Sequence, residues 1–181
     1  GRAPPRGRRV RHVVVDADDP AALAAHRDRV GRYARAAPTP SEQAFVGTLG
    51  TVLAGRPWPA TFACTAVDTE TGAFQVWDAT TNVPLERAIA SSCSVPGVYP
   101  PITINGSRYM DGGARSALNA DLAAGYDTVV VVSVTLLELP PGIDDERIAK
   151  YLAKERATIE ALRSAGSRVE VILPDIDFLV I

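Results

Sequence analysis

The sequence predicts an α/β fold with a mostly parallel sheet, and three observations carry the prediction. The second half of the chain alternates helical and strand patterns, the order that builds parallel sheets through helical crossovers. Residues 129–132 are an unbroken run of valines, the pattern expected of a strand buried on both faces. No internal repeat or shift of composition divides the 181 residues. One domain is therefore expected, and a chain of this size hides about 70% of its unfolded surface.

Each element has its own signal. Residues 1–19 open with Arg2, Arg6, Arg8, Arg9 and Arg11 and read as a basic, flexible N-terminal segment. Asp19-Pro20 marks a helix start, and residues 21–36 carry Leu23, Val30 and Tyr33 at helical spacing. Pro38 and Pro40 end that helix, and Ser41 is placed to cap a second one over residues 42–53. Residues 61–67 and 73–77 read as a hairpin around the turn at 68–72. A short helix over residues 84–92, with Leu85, Ala88 and Ile89 on one face, is broken by Pro96-Gly97 and Pro100-Pro101. Asn105-Gly106 between residues 102–104 and 108–110 is a strong hairpin signal. Asn119 reads as the cap of a helix reaching about Gly125. Asp144 or Asp145 opens a long helix with Ile148, Leu152, Ile159 and Leu162 on one stripe, and Gly166 closes it. Residues 169–173 read as the last strand.

Composition removes several functions. Nineteen basic against twenty-one acidic residues give a formal charge of −2, so no dominant electrostatic grip on nucleic acid is expected. Cys64 and Cys93 cannot build a disulfide framework and read as buried thiols. No run of eighteen apolar residues occurs, so no membrane-spanning helix is expected. The first eleven residues lead into no apolar signal-peptide core, which points to a cytoplasmic location. The chain begins at Gly1 rather than Met and is expected to be an excised or truncated piece.

The histidines constrain the chemistry. His12 and His26 are the two present, and none follows residue 26. A Ser-His-Asp hydrolase in which the histidine comes last is thereby disfavoured. Two histidines and two widely spaced cysteines also make no zinc site. An apolar stretch over residues 13–15 runs into Asp16 and Asp18, which could hold Mg²⁺ at a strand tip. It resembles the start of the haloacid-dehalogenase phosphatases, but Asp19-Pro20 departs from their continuation. The plainer reading is a short strand entering a helix cap. A Gly-rich phosphate loop of the Walker type is absent.

The informative segment is residues 88–133. Its second hairpin strand delivers Asp111 into a turn followed by Gly112 and Gly113. Glycines lack Cβ, so they permit close approach and unusual φ/ψ. A carboxylate beside open backbone suits a general base or an orienting group, while the bland alternative is an ordinary Asp-Gly-Gly turn.

The order of elements around that turn carries a resemblance. An Ala- and Ser-rich helix runs into Pro96-Gly97 and Pro100-Pro101. The hairpin, Asp111-Gly112-Gly113, Asn119, a small helix with Gly125 and an apolar strand follow. This succession resembles the later part of the patatin-like phospholipases, over roughly residues 20–173 and most specifically 84–133. The resemblance implies a three-layer α/β/α fold with a mostly parallel sheet. It also implies that residues 20–181 form a partial patatin-like domain lacking its N-terminal part. The activity implied is lipid acyl hydrolysis by a Ser-Asp dyad, with Asp111 as proton acceptor beside Gly112 and Gly113. No cofactor and no metal are implied. The partners implied are a lipid or acyl ester and peripheral contact with a lipid surface.

One departure from the family is large. No serine in the chain has glycine both two residues before and two after it, so the Gly-x-Ser-x-Gly nucleophile elbow is missing, as is the Gly-rich oxyanion loop. No nucleophile is assigned in this chain. Ser92 and Ser94 lie at or just after the end of a helix, without the strained strand-to-helix turn of an elbow. Two expectations follow. The strand over residues 129–132 should expose an unpaired edge, leaving the isolated chain marginal or aggregation-prone. The alternative to an enzyme is a non-catalytic remnant or binding module that keeps the scaffold.

Overall fold

The computed structural model describes residues 20–174 apart from residues 54 and 141. The basic arm, His12, Asp16 and Asp18 lie outside the described residues. Helix α1 (Pro20–Ala36) and helix α2 (Glu42–Leu53) come first. Strands β1 (Cys64–Asp68) and β2 (Phe74–Trp77), helix α3 (Leu85–Ser92), and strands β3 (Ile102–Ile104) and β4 (Ser107–Asp111) follow. Two short 3₁₀ turns, Gly112–Ala114 and Ala120–Ala123, lead to strand β5 (Thr128–Val132), helix α4 (Glu146–Ser164) and strand β6 (Arg168–Ile172).

The four strands β2-β1-β4-β3 make one antiparallel sheet, and β5 and β6 make a separate parallel pair. The mix of helices and strands is α/β as expected, but the mostly parallel sheet is corrected. Turns of a few residues join β1 to β2 and β3 to β4, and such turns connect only antiparallel neighbours. The connection from β5 to β6 contains all of α4, long enough for a parallel crossover.

Local chemistry explains the turns. Asn105 and Gly106 both have positive φ, 51° and 85°, as a two-residue hairpin with a type I′ turn requires. At the β1–β2 turn, Asp68 Oδ1 accepts from the N–H groups of Glu70 at 2.7 Å and Thr71 at 2.8 Å. Ser41 Oγ accepts from Ala44 N at 3.2 Å and caps α2. Asp145 caps α4, accepting from Arg147 N at 3.0 Å and Ile148 N at 3.2 Å.

Alternation along the strands places helices on both faces of the antiparallel sheet. Ala66, Trp77, Ile102 and Ile104 pack with Ala88 and Ala90 of α3, with α2 residues Phe45, Val46 and Leu49 at the margin. On the other face Val67 and Met110 pack with Ala34 of α1. Of the α1 residues at helical spacing, Val30 packs against this face, whereas Tyr33 does not. Tyr33 is 51% exposed, and its ring lies against the turn at Gly97, where a Cβ would meet it at 2.5 Å. Gly31 and Ala34 are the buried residues among residues 24–36 of that helix. A Cβ on Gly31 would fall 1.9 Å from the carbonyl oxygen of Thr69, so this close approach excludes any larger residue.

Helix α2 is fastened by a single carboxylate. Glu42 Oε1 accepts from Arg87 Nη1 at 2.7 Å and Thr103 N at 3.0 Å, and Oε2 accepts from Thr103 Oγ1 at 2.8 Å.

The parallel pair carries α4 on one face. Val129, Val131 and Val169 pack with Ile159 and Leu162. Ile148 is 42% exposed, so the buried stripe begins at Leu152. Burial of β5 on both faces is also corrected: Val130 is 57% and Val132 66% exposed. Successive side chains point to opposite faces, and the described residues cover only one. Along its other edge β5 has no strand partner among the described residues.

Candidate functional site

Asp111 is the last residue of β4. Its side chain shares the α3 face of the sheet, because Asp111 stands opposite Ala66 of β1. Its N–H donates to the carbonyl of Ser94 at 3.0 Å, tying the strand end to the loop after α3. Its Oδ1 accepts from Gly113 N at 2.7 Å and caps the 3₁₀ turn. Among the described residues no donor reaches the other carboxylate oxygen.

The two glycines play different parts. Neither has positive φ, so unusual backbone conformation is not what demands them. A Cβ on Gly112 would fall 2.0 Å from Thr65 Oγ1 and 2.8 Å from the Thr65 carbonyl oxygen. Gly112 is there because β1 passes too close for any side chain. A Cβ on Gly113 would meet only Asp111 Oδ1, at 3.0 Å. What Gly113 supplies is its N–H.

Asp111 lines an open cavity of about 480 Å³. Phe62, Ile89, Leu118 and Leu122 give it apolar wall, and Cys64, Ser92, Cys93 and Asn119 give it polar wall. Burial pushes the Asp111 carboxyl above its ordinary value, with the Gly113 N–H opposing. Such a carboxylate is a stronger base than a solvated one. Cys93 closes α3 and is reached by solvent, while partial desolvation beside the cavity wall and then the Asp111 charge push its thiol up. Cys64, at the start of β1, is half-buried. Burial, with Cys93 adding, pushes its thiol up to about 12 against the pull of the Ser92 hydroxyl. The expectation of two buried thiols therefore fails for Cys93, which stands at the cavity mouth because α3 ends there.

The serines are placed differently from one another. Ser94 is 1% exposed, and its Oγ donates to the Ala90 carbonyl at 2.7 Å. Ser91 is fully buried and accepts from Trp77 Nε1 at 3.0 Å. Ser92 is the only one of the three that lines the cavity.

Asn119 stands at the N-cap position, but of the short 3₁₀ turn Ala120–Ala123 rather than of a helix reaching Gly125. Its φ of 47° is left-handed and its side chain makes no cap bond to the 3₁₀ turn that follows. Its Nδ2 donates to the carbonyls of Gly112 at 3.2 Å and Ser116 at 2.9 Å, so it braces the Asp-Gly-Gly turn instead. Arg115 holds Asn119 Oδ1 at 2.8 Å and grips both Asp121 oxygens, at 2.9 and 2.7 Å, with its guanidinium 4.2 Å above the Phe74 ring centroid.

Sequence reasoning missed Glu155. It occupies the apolar stripe of α4, is 2% exposed, and accepts from Ser116 Oγ at 2.8 Å and Ala117 N at 3.1 Å. A glutamate three residues after Leu152 on a core stripe was the available signal.

A second cavity, of about 390 Å³, lies between α4 and residues 136–140. It shares no lining residue with the first.

A family model described as patatin-like phospholipase matches residues 10–124, well over half of the chain and inclusive of Asp111, Gly112 and Gly113. No curated protein matches the chain.

Proposed function

Because the chain belongs to the patatin-like phospholipase family, we propose that it carries the proton-accepting half of a Ser-Asp lipid acyl hydrolase. Asp111 is the base, and the serine nucleophile lies outside these 181 residues. The serine hydroxyl gives its proton to the free oxygen of Asp111 while its oxygen bonds to the acyl carbon. The leaving alcohol then takes that proton. Water, deprotonated by the same carboxylate, bonds to the acyl carbon, the bond to the serine oxygen breaks, and that oxygen takes the proton back from Asp111 as the fatty acid leaves. A base so placed contributes about 10²–10⁴-fold. The substrate is a lipid acyl ester, met at a lipid surface by a cytoplasmic protein. The three-layer arrangement belongs to the same proposal, with further strands joining β5 along its open edge. No cofactor and no nucleic acid enter.

One observation carries the reading: a carboxylate with raised basicity lines a part-apolar cavity, held by one N–H and otherwise unengaged among the described residues. Fluorophosphonate labelling of the chain with peptide mapping is the direct test. No adduct is expected, and a specific adduct on one serine would overturn the placement of the nucleophile. The non-catalytic alternative draws on the missing Gly-x-Ser-x-Gly. It prevails if the whole protein hydrolyses no acyl ester.

A further inference from the structure

A buried carboxylate on a core stripe is strongly unfavourable unless its lone pairs are met. Both oxygens of Glu155 are met, and by the segment that follows the Asp-Gly-Gly turn. The contacts continue as a chain. Ser116 Oγ donates to Glu155 Oε2 at 2.8 Å and accepts from Asn119 N at 2.8 Å. Asn119 Nδ2 then donates to the Gly112 carbonyl at 3.2 Å. That carbonyl and the Gly113 N–H belong to one peptide group, and the N–H is the donor on Asp111 at 2.7 Å. Hydrogen bonds at the two ends of a peptide group orient and polarise it together.

We propose that Glu155 is a positioning residue for Asp111, acting through Ser116, Asn119 and the Gly112–Gly113 peptide. It stands on α4, outside the segment the family model matches, so the second sheet and its helix are part of the site's scaffold. The inference rests on the reading of Asp111 as the base, but its test does not need hydrolysis.

Two opposite signs separate this role from a simple charge effect. Loss of a negative charge at position 155 would by itself lower the Asp111 titration midpoint. Loss of the chain of hydrogen bonds loosens the Gly113 donor and raises it. Among the described residues, the other titrating groups lining the cavity are Cys93 and Cys64, both thiols pushed above their ordinary values, so neither interferes at acid pH. Around Glu155 stand Arg115 and Tyr151, which stay protonated there.

The experiment follows the Asp111 carboxyl by carbon NMR across pH in the full chain and its variants. Glu155→Leu is expected to raise the midpoint by about one unit, a tenfold change in the ionised fraction at a given pH. Glu155→Gln can still accept from Ala117 N and, through its amide, bond to Ser116 Oγ, so it should stay at or slightly below the wild-type midpoint. Folding of each variant is checked by its unfolding midpoint. A folded Glu155→Leu whose Asp111 titrates unchanged or lower overturns the proposal. So does a Glu155→Gln that rises as far as Glu155→Leu. If Glu155→Leu does not fold, Ser116→Ala decides: a raised midpoint supports the chain of bonds and an unchanged one refutes it. Failure of Asp111 as a base would show instead as hydrolysis that survives Asp111→Asn, an independent result.

Discussion

Replacing Gly112 by alanine should destabilise the protein far more than replacing Gly113, although the residues are adjacent. The added methyl at 112 would sit 2.0 Å from Thr65 Oγ1 and 2.8 Å from the Thr65 carbonyl oxygen. The hydroxyl can rotate away. The carbonyl cannot, because β1 is paired on one side with β2 and on the other with β4. Relief must come from movement of the Asp111 turn, and overpacking of this kind costs about 1–3 kcal/mol. At 113 the methyl would meet only the end of the Asp111 side chain, at 3.0 Å, and φ there is not left-handed. Alanine should even recover roughly 0.4–1 kcal/mol of unfolded-state entropy, offsetting that contact. The assay is equilibrium unfolding in urea. Gly112→Ala should lower the midpoint by roughly 1 M at an ordinary slope for a small domain, and Gly113→Ala should stay close to wild type. Equal midpoints for the two variants, or a larger loss at Gly113, would refute the argument that proximity to β1 is what requires glycine at 112.

Other outcomes follow from the same geometry. In the whole protein, Asp111→Asn should reduce ester hydrolysis by about 10²–10⁴-fold, because an amide takes no proton. The wild-type rate should climb with pH through a midpoint above the ordinary carboxylate value, since burial raises it and only the ionised form accepts the proton; a rate independent of pH across the acid range would contradict this. Asp68 is pushed up by burial, but the N–H groups of Thr71 and Glu70 and the hydroxyls of Thr71 and Ser107 outweigh that and leave it below its ordinary value. Its contribution is therefore present above the unfolded-state value and lost as pH falls through the lowered one. Asp68→Asn should cost about 1 kcal/mol at pH 7 and flatten the acid limb of the stability curve. Met110→Ala, at a fully buried position against Val67 and Ala34, should cost about 2–5 kcal/mol in the same urea assay. Alkylation with iodoacetamide at pH 8, followed by peptide mapping, should modify exposed Cys93 before half-buried Cys64, whose thiol is pushed up to about 12.

What could be read in advance was whatever one segment decides alone. The Asn105-Gly106 hairpin, the Ser41 and Asp145 caps and the limits of α2 depend on neighbours within four residues. The succession from α3 through Asp111 to Asn119 carried the family for the same reason, since it is a linear pattern, and the family match agrees. Tertiary structure decided the rest, because those outcomes depend on which distant segment arrives. Nothing within the sequence of β5 tells that Val130 and Val132 are left on the exposed face while Val129 and Val131 lie under α4. Gly112 needs its bare Cα only because Thr65, 47 positions earlier, passes beside it. Glu155 has a reason to be buried only because Ser116 and Ala117 turn their donors toward α4. Turn and cap energies are local, whereas burial and the partners of a buried charge are set by contacts between segments far apart in the chain.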